Sequence, residues 1–455
     1  MKKLLLSFSL LLALTAQAQD YWTEYATNQP TASTGMRSIS IVDDNVTWLS
    51  NSCGTTGCTT IRRYSKTTDG GLTWTSADID LGAAAANLEI ANIHGVSADV
   101  AYASVFPKAG GVTGGVWQTV DGGSTWNRQA TASYNGADGA SFCNLVYFWD
   151  ANLGVTMGDP SSGYFEIYTT TNGGTNWSRV PSGNIPAPLA ADEYGLTNQF
   201  SVTGNRIWIG TTYGRTLISS DKGLTWTAIQ TPIPDFGGGI NGSESGDLAF
   251  TDESNGLLAT SDYLLYSTND GGLTWTDVIW GGVFRNFGIS EVPGTPNAYV
   301  CVGEDLDLTE RGSSYSTDSG VTWVSINDNP DINYVDGGVI SFLSPTMGFA
   351  SGFSTTATIG GIFKWNGNPL LATNVFSNDK GFTAFINAST GMLEVNGKNI
   401  TNVSVFDVLG KQVYNGSFTS VDAASIAAGN LNSGIYLVQV TNNAGASSTV
   451  KVVKN

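Results

Sequence analysis

The chain of 455 residues has one histidine, four cysteines and only 20 Lys and Arg against 38 Asp and Glu, a formal net charge of −18. The shortage of basic residues excludes nucleic acid as a partner. A surface this acidic repels a phosphate backbone, and no Lys/Arg cluster offers the counterion release on which such binding depends. The single histidine, His94, lies on an apparent inner strand and reads as a structural residue rather than a general base. Long apolar runs are missing too. The longest, residues 4–14, falls short of the roughly 20 residues that a membrane-spanning helix needs, so no transmembrane helix is expected.

That short run has another reading. Lys2 and Lys3 precede it and Ala16-Gln17-Ala18 follow it, the order of a secretory signal, so residues 1–18 are expected to be removed. Losing the two lysines takes the net charge from −18 to −20. Export makes disulfides possible. Cys53 and Cys58 flank Gly54-Thr55-Thr56-Gly57, a loop short and flexible enough for their Cβ atoms to meet, and a bridge is expected there. Cys143 and Cys301 sit in the apolar runs SFCNLVYF and AYVCVG and read as buried thiols acting as small hydrophobes.

What the chain has in abundance is one motif. TTDGGLTW, TVDGGSTW, TTNGGTNW, SSDKGLTW, TNDGGLTW and STDSGVTW place tryptophans at 74, 126, 177, 226, 275 and 323, with spacings of 52, 51, 49, 49 and 48. A period near fifty is an array. Each copy reads as a hairpin turn: Asp or Asn accepts backbone N–H bonds across the bend, and the Gly two places on takes a positive φ. Thr and Trp then start the return strand, where the indole is expected to cover the apolar face of its hairpin.

Between the motifs lie four short alternating or apolar runs per unit, as in RSISIVD, VTWLSN, IRRYSKT and TWTSADI, which is the content of a β-propeller blade. A seventh set, GGVISFL, MGFASGF and GIFKWNG, stops without a Thr-Trp strand. Tyr21-Trp22-Thr23-Glu24-Tyr25 resembles the missing strand, and Trp22 lies 52 residues before Trp74. The expectation is an all-β chain: a seven-bladed propeller over 19–372, its last blade closed by the N-terminal strand so that no edge is left free.

In the form S/T-x-D-x-G-x-T-W, the six copies resemble the Asp-box, or bacterial neuraminidase repeat, propellers, over residues 19 to about 370. The family includes sialidases, xyloglucan-active hydrolases, sortilin-type receptors and photosystem assembly factors, so the fold alone does not imply an activity. The stretch MGDPSSGYFEIYTTTNGG is similar to a Gly-Asp-Pro segment of secreted members. At the other end, VSVFDVLGKQVYNG and LNSGIYLVQVTNNAGASSTVKVVKN resemble the type A sorting domain of the type IX secretion system. The resemblance implies outer-membrane passage through that machinery and a secreted or cell-surface location. Alternating strands such as VSVFDV and GIYLVQV argue for a small β-sandwich over 373–455.

The motif residues Asp69, Asp121, Asn172, Asp221, Asp270 and Asp318 are read as structural turn acceptors. The family resemblance places them on the face opposite the substrate site. A sialidase would need three converging arginines and a tyrosine nucleophile beside a carboxylate; the Arg-Ile-Pro motif is absent, and nothing fixes Arg285, Arg311 and Tyr334 as partners. The other face is expected to carry a charged mouth made of Asp159, Glu193, Arg215, Asp247, Arg285, Glu304, Asp305, Arg311 and Asp336. The loops GEDLDLTERG and DFGGGINGSESGD contribute oxygen donors, yet no spacing matches a calcium loop, and no metal or cofactor is expected. No catalytic residue is assigned. The preferred reading is a monomeric propeller that binds an extracellular glycan or protein without turning it over. The alternative is a glycoside hydrolase using two mouth carboxylates, for which a separation of roughly 5 to 9.5 Å would be required.

Overall fold

The computed structural model describes residues 21–54, 61–108, 111–134, 142–308, 311–326, 338–367, 383–386, 391–407, 411–432, 434–443 and 447–454. The expected signal at 1–18, Cys58, Tyr334 and Asp336 lie outside the described residues. The expected Cys53–Cys58 bridge therefore has one end beyond description, whereas Cys143 and Cys301 are buried free thiols. The chain divides into two units, 1–372 and 373–455.

The first unit contains seven antiparallel sheets. In the first, Thr34–Ile41, Thr47–Cys53, Arg63–Thr67 and Thr75–Asp78 pair in chain order. The second to fifth sheets repeat this plan, opening on Leu88–Gly95, Cys143–Phe148, Gly195–Thr203 and Gly246–Phe250. The sixth runs from Gly288–Glu291 to Thr322–Ile326, and Gly281–Gly282 adds a short parallel strand at its outer edge. In the seventh, Ile340–Ser344, Met347–Thr356 and Ile359–Trp365 are joined by Trp22–Ala26, with Trp22 opposite Trp365. The innermost strands of successive sheets touch in order, and that of the seventh touches that of the first.

One local device recurs in six sheets. In the first copy the Thr67 hydroxyl donates to Asp69 Oδ1 at 2.8 Å and accepts from Gly71 N at 2.9 Å. Asp69 in turn accepts from Thr73 N at 2.9 Å and from the Thr73 hydroxyl at 2.6 Å. Asn172 keeps the first set of bonds, including Asn176 N at 2.9 Å, but Asn176 has no hydroxyl to supply the last one. The residue after the aspartate or asparagine donates its N–H to the turn between the first two strands of its own sheet, as Gly70 N does to Asn45 O at 2.9 Å. That bond demands a left-handed residue. Gly70, Gly122, Gly173 and Gly271 supply it, and so do Lys222 at φ 59 and Ser319 at φ 61.

The tryptophans do more than cover their own hairpins. Trp74 packs edge-on to Phe349 of the seventh sheet, with ring centroids 5.5 Å apart, and Trp126 packs against Trp48 of the first at 6.2 Å. Trp226 joins a core with Leu145 and Val155 of the third sheet, and Trp323 one with Leu257 and Leu265 of the fifth. Trp22 behaves alike, 3% exposed among Val300 and Val302 of the sixth sheet and donating to the Ser313 hydroxyl at 2.9 Å. Each indole fills the gap to the preceding sheet, because a sheet of four short strands buries its apolar faces only against its neighbours.

The second unit departs from the expected two-sheet sandwich. Its five strands form one continuous hydrogen-bonded sheet. Met392–Asp407 and Gln412–Ala427 are 16 residues each, and their pairing breaks register between Asn396 and Ile400. The strands bend there, which lets Leu393 and Val395 share a core with Val403, Val438 and Val452.

Candidate functional site

Four strands in up-and-down order put the first and third connections of every sheet at one end, and the second connection and the link to the next sheet at the other. The aspartate turns occupy the third connection. Asp159 and Glu304 lie at the far ends of second strands, Arg215 and Arg311 at the starts of third strands, Asp247 at the start of a first strand, and Glu193 in a link between sheets. These residues therefore share the end opposite the turns.

Sharing an end does not make them one site. Arg215 forks onto Glu193, with Nε to Oε1 at 2.8 Å and Nη2 to Oε2 at 2.6 Å, and Glu193 is 0% exposed. Thr211 Oγ1 and Leu189 N donate to the same carboxylate, so this pair staples a loop. Arg311 pairs with Glu304 at 2.7 Å, directly opposite it in register, and Asp305 offers its backbone carbonyl to the Tyr263 hydroxyl. Arg285 is an interior residue, 1% exposed, donating to Ser314, Gly303 O and Ser325. The glycine-rich connection is organised by Asp235, whose two oxygens accept four backbone N–H groups of its own loop, from Gly237, Gly238, Ile240 and Asn241.

Asp247 belongs to the central channel. A cavity of about 260 Å³ is lined by residues of all seven innermost strands, among them Ser40, His94, Tyr147, Asn198, Asp247, Glu291 and Ser341. An innermost strand has no sheet partner on its inner edge, and small polar side chains of neighbouring sheets satisfy its N–H groups instead. Ser38 and Ser40 accept from Ile93 N and Gly95 N, Asn92 exchanges two bonds with Val146, and Ser201 accepts from Phe250 N. Asp247 is the same kind of strut, accepting from Leu248 N at 2.9 Å and from Ile289 N of the sixth sheet at 3.0 Å. From the fourth sheet, Asn198, at φ 62 in a bulge, donates across the ring to Arg37 O at 2.6 Å.

Burial sets the electrostatics of this channel. Each group is part-exposed to the cavity yet ringed by protein, and desolvation favours its neutral form. It pushes Asp247 up to about 7 and Glu291 up to about 8, the latter with the Asp247 charge adding. It also lowers His94 to about 4 and raises Tyr147 to about 12. His94 thus faces the channel as a neutral ring, 4.5 Å from that of Tyr147, rather than serving only as core. At the mouth, Asp159 is raised to about 7 by burial, held against a bond from Asn144 Nδ2 at 3.2 Å. Glu291 and Tyr147 escaped the sequence reading because a lone polar residue on an innermost strand carries no local signal; only ring closure brings them together.

Residues 385–455 match the family described as secretion system C-terminal sorting domain. This type IX sorting tail makes the chain a secreted or outer-surface protein. No curated protein matches the chain. Among solved structures, a protein described as YCF48 from Cyanidioschyzon merolae is similar at a TM-score of 0.51 and 18% identity, over 76% of this chain and 99% of that one. A second, described as YCF48 bound to D1 peptide, is similar at 0.50 and 17%, over 78% and 99%. These neighbours show a β-propeller fold. Among the described residues no helix is long and apolar enough to cross a membrane.

Proposed function

We propose that the first unit is a closed seven-bladed propeller that, once exported, binds an extracellular glycan or protein at its mouth without chemically changing it. Closure is supported by the pairing of Trp22–Ala26 with Ile359–Trp365 and by the unbroken succession of touching innermost strands. Removal of residues 1–18 and a Cys53–Cys58 bridge fit the same exported state.

The observation that carries the binding reading is the mutual cancellation of charge at the mouth. Glu193 is taken by Arg215, Glu304 by Arg311 and Glu89 by Arg37. A hydrolase needs one protonated carboxyl beside an ionised partner, both with oxygens free to reach substrate. Asp247 and Glu291 are instead both shifted toward the neutral form, and Asp247 is committed to backbone N–H groups. Screening the full chain against immobilised polysaccharides and peptides while assaying reducing ends tests this. Retention without reducing-end release is expected; steady release from any bound polysaccharide would replace the binding reading with the hydrolase.

A further inference from the structure

The mouth carries an aromatic shelf that neither the charged loops nor the channel explains. Phe106, at the end of the second sheet's second strand, and Phe142, leading into the third sheet's first strand, stack with centroids 4.1 Å apart and an interplanar angle of 17°. Both remain part-exposed. Arg37 of the first sheet lies over Phe106, its Cζ 6.0 Å from the centroid, and pairs with Glu89 at 2.5 Å; Glu89 stands opposite Phe106 in the strand register. Lys108 reaches the other Glu89 oxygen at 3.5 Å. On the far side, Asp159 donates its N–H to Phe142 O at 3.0 Å, which brings its carboxyl to the edge of the shelf.

We infer that this shelf is a subsite for a neutral pyranose, whose C–H face stacks on Phe142 while its hydroxyls meet the Arg37–Glu89 pair and Asp159. The inference rests on the reading of the mouth as a ligand-binding face and specifies the ligand class. A pyranose has an apolar face and a polar rim, the arrangement that a flat aromatic surface bordered by paired hydrogen-bonding groups complements. The border holds two cations and two carboxyls, so it carries no net charge to attract an anionic sugar. An extended peptide would instead call for an unpaired strand edge to add to. Strands run towards the mouth end-on in every sheet, so none is offered there.

The test is calorimetric titration of the full chain with cellohexaose, xylohexaose, mannohexaose and laminarihexaose, alongside a random decapeptide pool as the competing class. At least one hexasaccharide is expected to bind. Phe142→Ala should weaken it about tenfold, the scale of one lost stacking contact. Phe142→Trp should retain it, which guards against a variant that simply misfolds, as would a melting temperature for Phe142→Ala within a few degrees of the parent. Saccharide binding unchanged in a folded Phe142→Ala protein overturns the shelf and leaves the mouth reading standing. Binding of the peptide pool alone overturns the sugar assignment, and binding of neither class overturns both.

Discussion

Asp69 shows how much one side chain can specify. Its carboxylate accepts from Thr67, Leu72 N, Thr73 N and the Thr73 hydroxyl, and these bonds, the Thr73 hydroxyl foremost, hold its pKa down to about 2. All of this is local, within seven residues, which is why the turns were legible in the sequence. The left-handed residue after the aspartate gives a test. Lys222 and Ser319 occupy a conformation that costs a non-glycine residue roughly 1 kcal/mol, so Lys222→Gly should raise stability by up to that amount in chemical denaturation. Gly271→Ala should do the reverse and by more, because its Cβ would meet Glu253 O at 2.8 Å as well as the Arg206 guanidinium. Illegible at this scale were the pairings across loops. Glu193 and Arg215 were picked out as ligand residues because both are charged and near the mouth, but 22 residues apart they found each other first. Replacing Glu193 alone with Ala should cost about 3–5 kcal/mol by leaving a buried guanidinium uncompensated, while Glu193→Leu with Arg215→Met should recover most of it.

At the scale of the element, period and composition carried the reading far. Four runs per fifty residues and a displaced Tyr-Trp-Thr strand were enough to anticipate the sheets and the pairing of the N-terminal strand, because a strand's alternation and a turn's chemistry are both short-range. What the pattern could not convey is the direction in which a tryptophan leans. The indoles serve the preceding sheet, and that depends on the rotation between sheets rather than on any residue nearby. The same limit applies to the second unit, where the alternating strands were visible but not the bend between Asn396 and Ile400 that makes one sheet enclose its own core. Trp22 tests the element. Because it is buried like Trp323, at 3% and 2% exposure, Trp22→Ala and Trp323→Ala should each lose about 3–5 kcal/mol in denaturant unfolding. Trp275 is less buried and should lose less. A Trp22→Ala protein as stable as the parent would leave the N-terminal strand outside the cooperative unit.

The whole molecule sets two populations of carboxyl against each other. In the turns, Asp69 and Asp121 are held at about 2, by the Thr73 and Thr125 hydroxyls foremost. A folded-state pKa below the unfolded value of about 4 contributes stability that is present above that value and is lost as pH falls towards 2. In the channel and at the mouth, Asp159 and Asp247 stand at about 7 and Glu291 at about 8, raised by burial. Here the folded chain keeps protons that the unfolded chain has already released, so stability declines as pH rises from about 4 through 8. The two trends meet in mildly acidic solution, and the melting temperature should peak there rather than at neutrality. Glu291→Gln separates them, since it removes a charge that burial disfavours without touching the turns. The variant should melt higher than the parent at pH 8.5, match it near pH 4.5, and follow it down the acid limb. An equal difference between variant and parent at every pH would mean that Glu291 titrates as it does in water and that the channel is open to solvent along its length.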